Sequence, residues 1–374
     1  MTIERPFKEG ADFEHFRKVL MRETTEGPVP IIELAADVEI MSAVTGIDFP
    51  VDGVSRLLSG GPDADIELIQ LGIKYMDLTI AFCKTMGYDY VTMFPIVPIR
   101  RPKGQFKEDE NQEGKQRMWQ NEHKGLIESR KDFEEFTWLS KDAISILPIE
   151  YGAERMPEGM KVMAFFMGIF EDMRLLMGVE NMAIKSIEEP DLVEDVLEEL
   201  TVLGEHAMEL AASHPATGAV FYAEDMGFNT GTMLSPKAMR EFLIPRQKRL
   251  ADICHKHGKP FLLHACGQID AIMEDLIEEV GIDARHSYED NIEPVEKVYK
   301  KYGDRISILG GIDVDLLSRG TPEQVKARTR EVLEACAPGG GYCVGSGNSV
   351  TNYVKIENYF AMIDETRKWN EEHA

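Results

Sequence analysis

The sequence predicts a single α/β domain folded as a (β/α)8 barrel. Three observations lead there. Eight short β-type runs alternate with helical stretches, which marks βαβ units and a parallel sheet. No Gly-rich dinucleotide turn follows the first run, which argues against an open doubly wound sheet. The 374 residues suit one decorated barrel, and no linker divides them.

The runs are, in order, VPIIEL (29–34), YVTMFP (90–95), KVMAFF (161–166), AVFYAE (219–224), PFLLHA (260–265), ARHSYE (284–289), SILGGI (307–312) and YCVGSG (342–347). Between them, the stretch from Asp191 to Ala212 repeats Leu192, Val193, Val196, Leu197, Leu200, Leu203, Ala207 and Leu210 at helical spacing, an amphipathic cover for a sheet. Thr321-Pro322-Glu323-Gln324 combines an N-cap, a first-turn Pro and a Gln three residues after the cap, so a helix is expected to start there. Ser235-Pro236 opens a similar one. Two regions stand outside the alternation: an N-terminal extension, 1–28, and a polar insertion from Arg100 to about Lys141. The insertion follows the second run, where a barrel carries its active-site loops, and reads as a lid, a partner surface or a solvated decoration.

With 43% apolar residues the chain can bury a large core. Lys plus Arg number 41 against 66 Asp plus Glu, a formal charge of −25, which repels nucleic acid and anionic lipid. Met1-Thr2-Ile3-Glu4-Arg5 leads into no apolar signal segment, and no apolar run approaches the ~18 residues of a membrane span, so a cytoplasmic protein is expected. Five Cys in such a chain (Cys83, Cys254, Cys266, Cys336 and Cys343) point to packing, metal ligation or catalysis instead of disulfides.

In a strand, residues i and i+2 point the same way, so His264 and Cys266 of LLHACG should project together from the C-terminal end of the fifth run. Cys343 opens the eighth run between Gly339-Gly340-Gly341 and Gly345-Ser346-Gly347, where backbone can bend closely around a ligand. If barrel closure brings all three over one mouth, two thiolates and an imidazole favour Zn2+, with a fourth position left for a carboxylate, water or substrate. The structural alternative is a packed His beside packed Cys.

These motifs, with VPIIEL, AEDMGFNTG, LGGID and YCVGSGNS in the same order, resemble the uroporphyrinogen decarboxylase-like superfamily over nearly the whole chain. Within it, H-x-C followed by a distant Cys is similar to the zinc site of corrinoid-dependent methyltransferases, including those that methylate coenzyme M. The resemblance implies a zinc-dependent methyltransferase that moves a methyl group between a corrinoid and a small thiol or methoxylated substrate. The cobalamin would be carried by a separate corrinoid protein, since no D-x-H-x-x-G motif occurs here. The alternatives are a decarboxylase and a non-catalytic corrinoid- or metal-binding protein. Decarboxylases of the family carry an Arg-rich R-Q-A-G-R segment at the first strand. Here that stretch reads IIELAADVEI, and no Arg falls between Arg22 and Arg56.

Further site candidates follow from position. Glu33 ends the first run and is the expected fourth ligand, exchangeable with substrate, with Glu39 as the alternative. Glu224-Asp225 ends the fourth run beside the metal strand, able to hold a metal-bound His, bind substrate or cap a helix. Tyr222 shares the face of Glu224, His286 on the sixth run is a candidate acid or base, and Asp313 closes LGGID. Gly345 and Ser346 of the eighth run, with Asn348 just beyond it in GSGNS, are candidates for binding a cofactor or an acidic group. A substrate with eight carboxylates would meet Glu33, Asp37 and Glu39 in place of cations. The protein should therefore neither bind uroporphyrinogen tightly nor form coproporphyrinogen. A product assay that detected coproporphyrinogen at enzymatic rates would overturn the methyltransferase expectation.

Overall fold

The computed structural model describes residues 10–59, 66–99, 105–108, 116–119 and 125–374. Seven parallel strands lie side by side in chain order: β1 (Tyr90–Met93), β2 (Lys161–Met167), β3 (Thr217–Ala223), β4 (Phe261–His264), β5 (Ala284–His286), β6 (Ser307–Leu309) and β7 (Tyr342–Cys343). Helical connections cross between successive strands, and the arrangement is a (β/α)8 barrel whose eighth place belongs to residues 29–36.

That first segment is expected as a strand but is held by single bridges, Ile31 to Val344 and Ala36 to Val350. Pro28 and Pro30 supply no N–H, so a continuous ladder cannot form. Side chains take over the unpaired backbone groups. Asn370 of the C-terminal helix (Ile356–Glu372) accepts from the Val29 N–H at 2.8 Å and donates to its carbonyl at 3.0 Å. On the β1 side, the buried Tyr90 hydroxyl accepts from the Glu33 N–H at 2.8 Å and donates to its carbonyl at 3.1 Å. One phenol therefore closes this part of the barrel wall.

Beyond the ends of the last strands the backbones converge at the mouth. A Cβ on Gly345 would sit 1.9 Å from the Ile32 carbonyl oxygen, and one on Gly347 would sit 2.1 Å from that of Tyr288. The helix Pro190–Ser213 buries Leu192, Val193, Val196, Leu197, Leu200, Leu203 and Ala207 against the sheet. Thr321 forms a full capping box with Gln324, and its helix runs Pro322–Cys336. Of the N-terminal extension, residues 10–28 are described. Their helix, Phe13–Leu20, closes the barrel at the strand N-termini: Ser307 Oγ reaches the Val19 and Leu20 carbonyls, and Phe13 N–H donates to Gly159. Much of the 100–141 insertion lies outside the described residues. What is described includes an antiparallel pair, Gln105–Glu108 with Gln116–Trp119, and the helix Arg130–Glu135.

Tyr90→Phe should expose the role of the phenol, because it leaves a buried N–H and a buried carbonyl without partners. Urea unfolding should show a loss of about 1–3 kcal/mol. A change within error would mean that water replaces the hydroxyl and the closure does not depend on it.

Candidate metal centre

Register positions the site. Ala223 of β3 pairs with His264 of β4, and His264 pairs with His286 of β5. In-register neighbours share a face, so these three positions face the barrel interior, while Tyr222 and Glu224 face the helices. Asp225 and Cys266 lie two residues beyond Ala223 and His264, past the strand ends on the same interior side. The donor atoms of Asp225, His264 and Cys266 all come within 4.8 Å of one another. His264 Nε2 is 3.3 Å from Cys266 Sγ and 3.6 Å from Asp225 Oδ1. Among the described residues this is the one such cluster.

A hydrogen-bond relay fixes which His264 nitrogen faces the cluster. His286 Nε2 lies 3.0 Å from the Ser346 carbonyl, which can only accept, so Nε2 carries the proton. Burial, with repulsion from His264 added, pushes the His286 pKa down to about 3, so the ring is neutral and its Nδ1 is a lone pair. His264 Nδ1, 2.8 Å away, must therefore be the donor. Its Nε2 is left for a cation, which is the arrangement metal-binding imidazoles use.

The electrostatics of the other two donors differ. Burial opposes ionisation of Asp225, but a hydrogen bond from His264 and attraction to that ring, which act only while its Nε2 carries a proton, outweigh it and hold the carboxyl at about 2. Burial, reinforced by the Asp225 charge, pushes the Cys266 thiol up, while Asn348 Nδ2 donates to its sulfur at 3.3 Å. The metal-free cluster thus holds one anion and a proton that a cation would displace. Imidazole, thiolate and carboxylate form a donor set suited to Zn2+, and three protein ligands leave a position for substrate. His264 is buried, whereas Cys266 and Asp225 are half-buried, so the open side faces the mouth.

Other expected residues lie elsewhere. Cys343 is not in the cluster. It pairs with Leu309, three strands from His264, and with tilted strands each step around the wall moves about 3 Å along the axis. Its thiol ends up buried near the strand N-termini, pushed well up in pKa by burial and by Asp89, the residue before β1. Glu33, the expected fourth ligand, is also outside. It accepts from the Ser346 N–H at 3.0 Å and from Ser346 Oγ, and burial raises it to about 8. Its link to the centre runs through Ser346 and His286. Glu39 accepts from Asn352 Nδ2 at 3.0 Å.

Tyr222 and Glu224, expected in the pocket, fasten a helix instead. Glu224 accepts from the Phe170 and Glu171 N–H groups at 3.1 Å, and the Tyr222 hydroxyl accepts from Ile169 N–H at 2.8 Å, capping the helix Ile169–Met177. Burial raises Glu224 to about 8. Asp313 caps the helix Val314–Arg319 through Asp315 N–H at 2.7 Å and also accepts from Asp290 N–H at 2.9 Å. Gly345 serves the close approach to Ile32, and Ser346 serves the relay. Of Gly345, Ser346 and Asn348, only Asn348 touches a donor of the cluster. In the sequence Asp225 stands out only as half of Glu224-Asp225. The alternation that separates the two becomes readable once the end of β3 is known.

The sequence pattern of the uroporphyrinogen decarboxylase family matches residues 127–369. The methylated-thiol–coenzyme M methyltransferase of Methanosarcina mazei is 29% identical over 237 residues, 62% of this chain and 61% of that one. A methylcobamide:CoM methyltransferase of Methanosarcina barkeri is 28% identical over 189 residues, 50% of this chain and 52% of that one. The chain thus spans between half and two thirds of the length of these curated relatives. A uroporphyrinogen decarboxylase of Thioalkalivibrio sulfidiphilus is 28% identical over 148 residues, 38% of this chain and 41% of that one. A solved methyltransferase from Methanosarcina mazei superposes with a TM-score of 0.67 over 96% of this chain and 99% of that one, at 17% identity, which shows the shared fold.

Competition with a chromophoric chelator should find about one tight zinc site per chain. Cys266→Ala should abolish it, Cys343→Ala should leave it unchanged, and His286→Ala should weaken it about 10–100-fold by freeing the His264 tautomer. Because the Cys266 thiol must lose its proton, affinity should rise about tenfold per pH unit through neutrality. Affinity indifferent to pH would contradict thiolate ligation.

Proposed function

The chain belongs to the uroporphyrinogen decarboxylase family, and within it we propose that it is a zinc-dependent methyltransferase. It would move a methyl group between a corrinoid held by a separate protein and a small thiol or methoxylated substrate at the barrel mouth. The observation that carries this reading is the convergence of Asp225, His264 and Cys266 at the C-terminal rim, with the His264 tautomer set from behind. The longer matches to methyltransferases than to the decarboxylase support it, as does the Arg-free stretch between Arg22 and Arg56.

Bound zinc would supply Lewis acidity, lowering the pKa of a ligated thiol or polarising an ether oxygen. The chain's own groups do the rest. Cys266 and Asp225 together neutralise the charge of a divalent ion, so the centre gains affinity without a buried net charge. Asn348 pins the Cys266 sulfur from the strand-seven side. His286 holds His264 while the half-buried flank of Asp225 and Cys266 admits the substrate atom. A broad corrinoid face can approach only from this rim, so the partner is expected to dock over the strand C-termini.

Cobalamin absorbance reports the methyl state in either direction. Methylcobalamin with a small thiol, or cob(I)alamin with a methoxylated aromatic, should react with the zinc-loaded protein. The rate should drop by at least about a hundredfold in His264→Ala, since a neutral thiol or unpolarised ether is a poor reactant. Equal rates with the variant would contradict the proposal.

A further inference from the structure

A second site lies across the barrel wall from the relay. Arg285 pairs with Ile308 and precedes His286, so it takes the outer face of β5. The residue is 5% exposed, with the guanidinium 5.0 Å from the Tyr288 ring centroid and Nη1 3.8 Å from Met273 Sδ. Its Nε has no hydrogen-bond partner, and among the described residues it has no ion pair. The Ser287 and Tyr288 hydroxyls, on residues each 4% exposed, also lack partners. All three residues line one small pocket that opens to solvent.

A buried guanidinium without a counter-charge costs several kcal/mol, and each unmade buried hydrogen bond costs about 1–3 kcal/mol. Water would satisfy the hydrogen bonds but not the charge. Of the three lining carboxylates, Asp270 and Glu293 are both held by Lys301 Nζ, at 3.3 and 2.7 Å, and among the described residues Glu289 forms no ion pair with Arg285. A fork of N–H donors flanked by two hydroxyls matches an oxyanion.

We propose that Arg285, Ser287 and Tyr288 form a binding site for one small oxyanion, a carboxylate or phosphate group, distinct from the metal centre. Gly267 and Gln268, which also line it, continue directly from Cys266, and Ser287 continues from His286. The occupant therefore braces the two segments that carry the metal donor and its relay partner. The site does not depend on the methyltransferase reading, since binding there needs neither metal nor turnover.

Isothermal titration of the metal-free protein with acetate and, separately, with inorganic phosphate tests the proposal. Acetate stands for the acid end of an organic molecule and phosphate for a free inorganic anion, so the tighter of the two identifies the source. One site per chain is expected, weakened at least tenfold in Arg285→Met and less in Arg285→Lys. Thermal unfolding monitors whether Arg285→Met folds. If it does not, the double variant Ser287→Ala, Tyr288→Phe carries the test and should weaken binding by a similar factor. Absence of binding for both anions, or equal affinity in wild type and the folded variant, would overturn the proposal.

Discussion

The in-register pairing of Ala223, His264 and His286 is the constraint on which the rest of the site depends. It places two imidazoles side by side on the inner wall and sends the next inward positions, Asp225 and Cys266, to the rim beside them. The same alternation assigns the outer face its tasks. Tyr222 and Glu224 cap a helix, and Arg285 enters a pocket behind the wall. A slip of one residue in β4 would exchange these sets, placing Leu263 at the metal and His264 among the helices.

A continuous polar chain crosses the barrel near its mouth. It runs from Glu33 through Ser346 to His286 and His264, and each member is satisfied by the next. Such networks fix one geometry because a half-satisfied buried group is expensive. Burial raises both Glu33 and Glu224 to about 8, so the fold accommodates them best in the protonated form. The sign follows: the folded state binds these protons more tightly than the unfolded chain, so stability falls as pH rises from the ordinary carboxylate range through about 8. Asp225 has the opposite sign, and its contribution is lost only as pH falls through about 2.

The architecture was legible in the sequence because βα alternation is local: each run and each amphipathic helix announces itself within a few residues. His264 and Cys266 were legible for the same reason, as an i, i+2 pair on one strand. What depended on the closed wall was not. Cys343 and His264 lie on strands whose tilt separates them along the axis, and no spacing in the chain reports tilt. Glu33 sits at the mouth, yet Ser346 reaches it before any cation would. Residues 29–34 have strand composition, but Pro30 within them and Pro28 just before leave them with bridges in place of a ladder. Asp313 and Glu224 show the converse, as carboxylates at strand ends that helix N-termini claim.

The account turns on one donor set, Asp225, His264 and Cys266. Zinc K-edge X-ray absorption of the loaded protein reads that set most directly, because sulfur and light-atom scatterers separate by distance. One sulfur at about 2.3 Å with nitrogen and oxygen at about 2.0–2.2 Å is the result the structure predicts. Two sulfur ligands from the protein would place Cys343 or another thiol at the metal and contradict the geometry. A first shell without sulfur would remove Cys266 and with it the proposed centre.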